Sequence, residues 1–452
     1  MGLTRRGLRY DDLPPEAADA VKRIALDTVG TALAATGLGD GCVEAAAVAR
    51  GAGGAPEASL IGYGVRAPAL TAAFVNGATA HALNYDPLGG SGGHLGVSTL
   101  PSVFAAAERR GGVSGAEAIA AMAAAAEITA RLAAALSQAG VNANERFLEG
   151  QLLGYFGAAV GAGRVMGLGP EAMHSALGAA LMQAGGSMQV VFDGDPPAKA
   201  IYGGFANLGG MLAALLAEQG LGAEVAALEG AAGVYGLFYG GVYDAAALTD
   251  GLGEEWRLLK ARFKPWPTSG NIHGYIEAAV ALAARVRPTE IESVVVRAAP
   301  ALRPWCEPIE ERRRPPNPTS AANSIVYGAA KGLVNGQVVL ADFTPAGLTQ
   351  EEALRVADLT VCEIAENHAG RAEVEVRATD GRVLTERVDT PLGHPSRPLS
   401  EAQLAAKFED CAGYAVCGMN IAQARELLDA LRSLEGLADV RRLGDLARGS
   451  AD

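Results

Sequence analysis

From about Pro15 to Gly251 apolar residues recur at spacings of three and four, and strict alternation is rare. That pattern predicts helix after helix and no sheet in this part of the chain. Ser114-Gly-Ala-Glu117 opens the run Ala116–Leu136 as a capping box, in which serine and glutamate each satisfy a free N–H at the helix start. Pro170 stands just inside the next start, after Gly167-Leu-Gly169. Phe205–Leu216 predicts a further buried helix, with Gly209 and Gly210 permitting close approach.

The texture changes after Trp266-Pro267. Ile291–Arg297, carrying Val294, Val295 and Val296, predicts a strand. Ala372–Arg377 alternates with period two, Asp380-Gly381 suggests a type I′ turn, and Arg382–Val388 returns as its partner. Thr349-Gln-Glu-Glu352 predicts a capped helix between these strands. His394–Pro398 looks like a linker, Ser400-Glu-Ala-Gln403 caps a new helix, and a last one runs from about Ile421 to Leu434. The expected architecture is mainly α. Residues 1–266 plus 398–452 form a large all-helical domain built from both chain ends, and residues 267–397 form a smaller inserted α+β lid.

Composition sharpens this. Half of the 452 residues are hydrophobic but only 5% are aromatic, so the core must be built from Ala, Leu and Val. The net charge of -13 argues against a nucleic-acid partner, because phosphate binding needs a basic face. The apolar run from Ala116 to Leu136 is broken by Glu117, Glu127 and Arg131, so no membrane span is expected. No apolar stretch follows the charged start, which gives no signal peptide and an expected cytoplasmic location. Five cysteines without CxxC spacing read as reduced structural thiols.

Gly161-Ala-Gly163 lies within a helical pattern and has the wrong spacing for a dinucleotide loop. The six histidines show no HxxxH or HxH spacing, so no metal site is expected. What remains is a set of polar residues inside apolar or Gly-rich text. The segment from Asn76 to His94 starts as a helix and ends in a loop with Gly89, Gly90, Gly92 and Gly93, able to wrap a ligand or to serve as a surface connection. Lys199 enters an apolar helix and must either snorkel, the default, or meet an anion. Lys264-Pro-Trp-Pro267 joins the two textures and leads to His273 at the start of an apolar helix, where a core role and a functional role compete.

These segments, in this order, resemble the MmgE/PrpD family, which includes 2-methylcitrate dehydratase, cis-aconitate decarboxylase and iminodisuccinate epimerase. Phe74–Leu83 is similar to the segment before the family's LDFDDT-type motif. Ala184–Gln189 and Asp193–Gly204 are similar to its GgsMQ…dGa..K region, and Lys264–Pro267 to its KPYP motif. Ala321–Tyr327 is similar to its AkfSlxY helix, and Pro391–Ser400 with Lys407-Phe408 to its C-terminal block. The resemblance implies a homodimer, no metal or organic cofactor, and a site between the two domains for a small carboxylate or carbonyl substrate. By motif it implies His94, Lys199, His273 and Tyr327 as catalytic residues. It also implies Asn84, Asp86, Leu88, Leu148, Met188, Tyr202, Lys264 and Ser269 as substrate-binding ones.

The departures matter equally. Asn84, Pro87 and Leu88 replace polar positions of the LDFDDT-type motif, leaving Asp86 as its acid. Leu148 falls near a usual pocket histidine, and Tyr202 stands three places after Lys199 where histidine is usual. Asn323 replaces the basic residue of AkfS, and Ser269 a histidine of the decarboxylases. The residues that remain suit movement of a proton α to a carboxylate or carbonyl: lysines to hold the anion, an imidazole to exchange the proton, a phenol to donate. The expected activity is that of a lyase or isomerase, by dehydration, decarboxylation or epimerisation through an enolate-like intermediate. A specialised-metabolism cyclase or tailoring dehydratase, and a non-catalytic metabolite-binding homologue, stand as alternatives.

Overall fold

The computed structural model describes residues 7–366 and 370–449; His368 lies outside them. Helices α1 (Pro15–Leu38), α2 (Ala69–Ala82), α3 (Gly115–Gln138), α4 (Glu149–Val165) and α5 (Tyr202–Glu218) carry the first half of the chain. Their inward faces are mostly alanine, which lets α5 lie along both α2 and α4. The capping box forms as expected, with the Ser114 hydroxyl accepting from the Glu117 amide while Glu117 reaches back to the Ser114 amide. Helix α3 is long and apolar enough to cross a membrane, yet 94% of its apolar window is buried within the protein. The charges that interrupt it are paired inside, Arg131 donating to Glu127 at 2.7 Å.

One core gathers residues from both ends of the chain, from Leu13 to Phe263 and from Leu399 to Ala447. Helix α8 (Glu401–Ala412) packs on α1 and is capped by Ser400 and Gln403 as expected. A second core draws on residues 272–378. It lies between helices α6 (His273–Ala283) and α7 (Ile325–Asn335) and a four-stranded sheet. With β1 (Ile291–Ala298), β2 (Thr360–Ile364), β3 (Ala372–Ala378) and β4 (Val383–Val388), the order is β2-β1-β3-β4. The β1–β2 pair is parallel, Val294 opposite Thr360, and the other pairs are antiparallel. Val294, Val296 and Ala298 of β1 point into the core, the period-two signature of a strand packed on one side.

Several expectations need correction. The first half is not free of strands, since Ala58–Ser59 pairs with Arg66–Ala67; a two-residue ladder is too short to leave an alternating pattern. The hairpin turn is not type I′: Gly381 has φ +88°, while Asp380 stays outside the left-handed region. Ala378 bonds Arg382 across three loop residues, the form in which glycine alone takes the positive φ. Thr349 does not cap the helix Glu351–Asp358, because its hydroxyl is spent on the Ala346 carbonyl of the preceding turn. Cys306 and Cys362 are joined as a disulfide rather than standing as free thiols. The parallel pairing of β1 and β2 carries Cys362 to the end of the sheet where Cys306 lies, a proximity that spacing along the chain cannot reveal.

Candidate active site

The Gly-rich loop after α2 is pinned at its start. Leu88 and Arg262 exchange two backbone hydrogen bonds, Leu88 N to Arg262 O at 3.0 Å and Arg262 N to Leu88 O at 2.7 Å. This short antiparallel bridge sets the loop beside Lys264. Between the loop, the start of α4, the segment Met188–Tyr202 and the start of α6 lies a cavity of about 460 Å³. Its walls include ten of the residues expected from the sequence: Asn84, Leu88, His94, Leu148, Met188, Lys199, Tyr202, Lys264, Ser269 and His273.

Asp86 does not reach the cavity. It is fully buried behind the wall, where it organises the residues in front. Its Oδ2 lies 2.5 Å from His94 Nδ1 and its Oδ1 lies 3.1 Å from His81 Nδ1. Lys264 Nζ is 4.0 Å away. Burial pushes the Asp86 carboxyl up, but His94, Lys264 and His81 together hold it well below the usual carboxylate range. An ionised Asp86 accepts a hydrogen bond from each Nδ1–H, which fixes both imidazoles as Nδ1–H tautomers. His94 therefore turns an Nε2 lone pair towards the cavity that it lines. His81 packs edge-on to His94 at 4.6 Å and against Tyr202 at 4.0 Å. Burial pushes its pKa down to about 4, so it is neutral near pH 7.

The ligand atoms of His81, Asp86 and His94 lie within 4.8 Å of one another, close enough to be considered as a metal set. The Nδ1 atoms of both histidines already face the carboxylate, His81 on Oδ1 and His94 on Oδ2, and the Lys264 ammonium stands 4.0 Å from Oδ1. The carboxylate is thus satisfied by protons and by Lys264.

Lys264 donates to the Asn84 carbonyl at 2.7 Å and to Asn84 Oδ1 at 2.8 Å. Asn84 has φ +50°, a left-handed conformation that asparagine tolerates and that folds its side chain back onto the ammonium. Burial lowers the Lys264 pKa to about 8, against the opposing pull of Asp86. Behind it, Lys407 donates to the Tyr85 and Lys264 carbonyls and pairs with Asp27 at 2.7 Å.

Lys199 does not snorkel. It meets Asp195 at 2.7 Å, and Arg312 from the second core meets the same carboxylate at 3.2 Å. One anion serves two cations, so positive charge is left over at this wall. Burial lowers the Lys199 pKa while Asp195 opposes the change. His273, at the start of α6, is held neutral by burial, its pKa pushed down to about 3. Its Nε2 finds no hydrogen-bond partner among the described residues. Leu148, Met188, Val191 and Tyr202 form an apolar cluster at the cavity.

Tyr327 is not part of this cavity. It is buried in the second core, where its hydroxyl donates to the Asp342 carbonyl at 2.7 Å and lies 3.2 Å from that of Gly347. Its position on α7 gives it a packing role, which a motif match cannot tell from a catalytic one. His81 and Glu149 also stand in the wall, though sequence reasoning did not assign them to the site. His81 stood within the segment singled out, thirteen places before His94, but in the apolar text of α2 it reads as an interior histidine.

A family model described as the MmgE/PrpD N-terminal domain matches residues 5–244, and one described as the MmgE/PrpD C-terminal domain matches residues 266–431. A cis-aconitate decarboxylase of Aspergillus terreus (strain NIH 2624 / FGSC A1156) is 29% identical over 97% of this chain and 93% of its own length. The cis-aconitate decarboxylase-like protein oryM of Aspergillus oryzae (strain ATCC 42149 / RIB 40) is 27% identical over 86% of this chain and 85% of its own. The Homo sapiens cis-aconitate decarboxylase is 26% identical, over 85% and 80%.

Proposed function

The chain belongs to the MmgE/PrpD family, and from that premise we propose a lyase that decarboxylates or dehydrates a small organic acid through an enolate-like intermediate. The observation that carries this reading is the buried Asp86 with His94 and Lys264 held against it at the edge of the cavity. A carboxylate of the substrate meets the surplus positive charge of Lys199 and Lys264, which also stabilises negative charge developing on the enolate. His94 Nε2 exchanges the proton, and Asp86 keeps its tautomer and offsets its charge when it is protonated. His273, neutral, donates no charge; its free ring edge orients a substrate oxygen.

The decarboxylase relatives support lyase chemistry, and the apolar wall of Leu148, Met188, Val191 and Tyr202 refines the substrate class. An apolar wall costs affinity for a third carboxylate and favours an alkyl portion, so the preferred acid carries fewer charges than a tricarboxylate. We take the two cores as a helical body of residues 1–266 plus 398–452 and an inserted lid of residues 267–397, with the substrate between them.

The test is a panel of hydroxylated and unsaturated mono-, di- and tricarboxylic acids, followed by carbon dioxide release and by proton NMR in D2O. Turnover of at least one acid is expected, and His94→Ala should lower kcat by roughly 10²–10⁴-fold. No turnover by the wild type, or unchanged turnover by His94→Ala, overturns the reading. Faster turnover of 2-methylcitrate or cis-aconitate than of less charged acids overturns the substrate class alone.

A further inference from the structure

Glu149, the first residue of α4, is among the residues that line the cavity, with only 5% of its surface exposed. A carboxyl so placed would ordinarily be paired. Here Oε2 accepts from the Gly93 amide at 3.4 Å, a long contact, and Oε1 has no partner among the described residues. The loop is shaped around it. Gly92 has φ +121°, and a Cβ there would stand 2.5 Å from Glu149 Oε1. Gly150, the next residue on α4, brings the helix so close to His94 and Tyr202 that a Cβ would lie 2.5 Å from the imidazole and 2.8 Å from the phenol oxygen. Glu149 therefore borders the cavity beside the imidazole assigned to proton exchange.

We infer that Glu149 is the proton donor of the reaction, a second acid–base residue working with His94. This rests on the lyase reading above. In a dehydration, His94 Nε2 takes the α-proton, the electron pair forms the new double bond, and the C–O bond breaks. The Glu149 carboxyl gives its proton to the departing hydroxyl, which leaves as water. In a decarboxylation the C–C bond breaks, carbon dioxide leaves, and the electron pair on the α-carbon takes the Glu149 proton, which solvent then restores.

The electrostatics support the assignment. Burial pushes the Glu149 pKa up to about 7, opposed by the Gly93 amide and the Asn144 side chain. The N-terminal dipole of α4 also favours the charged form, a smaller effect than the burial. The titratable groups around it are His94 on the loop, Tyr202 on α5, and Tyr235 and Tyr239 of the segment Val234–Tyr239, the three tyrosines all raised by their burial. No lysine or arginine among the described residues pairs with Glu149. An acid balanced in this way carries its proton at pH 6–7 and can give it up.

Glu149→Gln keeps the shape and removes the transferable proton. With an acid that the wild type turns over, kcat should fall roughly 10²–10⁴-fold with KM changed less than about threefold. The wild-type kcat should decline as pH rises above about 7, and this limb should be missing from the residual activity of the variant. Unchanged kcat and an unchanged alkaline limb overturn the inference while leaving the lyase reading intact. A second measurement needs no turnover. Succinate binding to the full-length protein is followed by calorimetry at pH 7 in two buffers of different ionisation heat. An anion arriving beside Glu149 should draw in a proton in the wild type and not in Glu149→Gln; equal proton uptake in both overturns the inference. A wild type that takes up the proton yet turns over no acid counts against the lyase reading and not against Glu149 as the titrating group.

Discussion

Asp86→Asn separates the chemistry of the site from its stability. The carboxylate accepts from both His81 and His94 through Nδ1, at 3.1 and 2.5 Å. An amide in its place has one accepting oxygen and one donating NH2. It can keep one ring as it is, but it must present N–H to the other and force that ring into the opposite tautomer. If the ring is His94, Nε2 becomes a donor towards the cavity and can no longer accept a proton. The cost in kcat should be roughly 10²–10⁴-fold, or about 3–5 kcal/mol of barrier.

Stability should suffer less, and the reason lies with Lys264. At 4.0 Å and an effective dielectric of ~20, the lost attraction between Asp86 and Lys264 is about 4 kcal/mol. Lys264 need not bear it all, because its pKa is already down at about 8. Shedding its proton at pH 7 costs only about 1.4 kcal/mol beyond what the native state already carries. Two weakened charge-assisted hydrogen bonds add roughly 1–2 kcal/mol, and relief from burying Asp86 as an ion works the other way. The variant should therefore stay folded, with a net loss under about 3 kcal/mol in urea titration. Imidazole 15N shifts should report a changed tautomer. Turnover within threefold of wild type, with the same 15N pattern, would refute the reasoning.

Three other outcomes follow from the same geometry. Gly150→Ala should improve helix propensity slightly, yet its Cβ must displace the His94 ring and the Tyr202 hydroxyl. A shift approaching 1 Å should lower kcat by about 10²-fold while Tm holds, and undiminished activity would mean that His94 is not at the reacting atoms. Tyr327→Phe should lose the hydrogen bonds to Asp342 and Gly347, costing about 1–3 kcal/mol of stability with kcat unchanged. A large loss of kcat with normal stability would return Tyr327 to the catalytic set. Glu149→Gln should be stabilised relative to wild type as pH rises. The wild-type carboxyl, raised in the fold from 4.5 to about 7, contributes stability below pH 4.5 that is lost on the way to pH 7. Urea titrations at pH 5 and pH 8 should show the variant gaining roughly 2–3 kcal/mol relative to wild type between them, and a pH-independent difference would contradict a buried Glu149 without a cationic partner.

How far the sequence carries depends on whether a feature is local. Ser114 with Glu117 and Ser400 with Gln403 satisfy their own helix ends within four residues, so both helix starts are legible before any fold is known. Ten of the twelve expected site residues meet at one cavity because the loop and segment patterns that carry them are themselves short. Partners far apart in the chain are not legible. The anion that stops Lys199 from snorkelling is four residues away, but the arginine that shares it is at position 312. The Cys306–Cys362 bond depends on strand pairing. Glu149 was invisible for a different reason. An acid in the first turn of a helix is what the dipole favours anyway, so nothing in the pattern distinguishes a capping charge from a carboxyl turned inward.

The division between satisfied and unsatisfied groups then says where binding energy comes from. Around the cavity, the charges set furthest back are matched: Asp27 with Lys407, Glu127 with Arg131, and Arg312 with Asp195. At its wall stand two buried polar atoms without hydrogen-bond partners among the described residues, Nε2 of His273 and Oε1 of Glu149. Each such atom costs the empty enzyme about 1–3 kcal/mol. A neutral His273 offers a ring nitrogen, and a protonated Glu149 can offer an O–H. A substrate oxygen that meets both recovers that cost on binding, whereas an acid lacking it leaves the cost in place. Among acids of equal charge, selectivity at this site should thus depend on where the substrate carries its oxygen atoms.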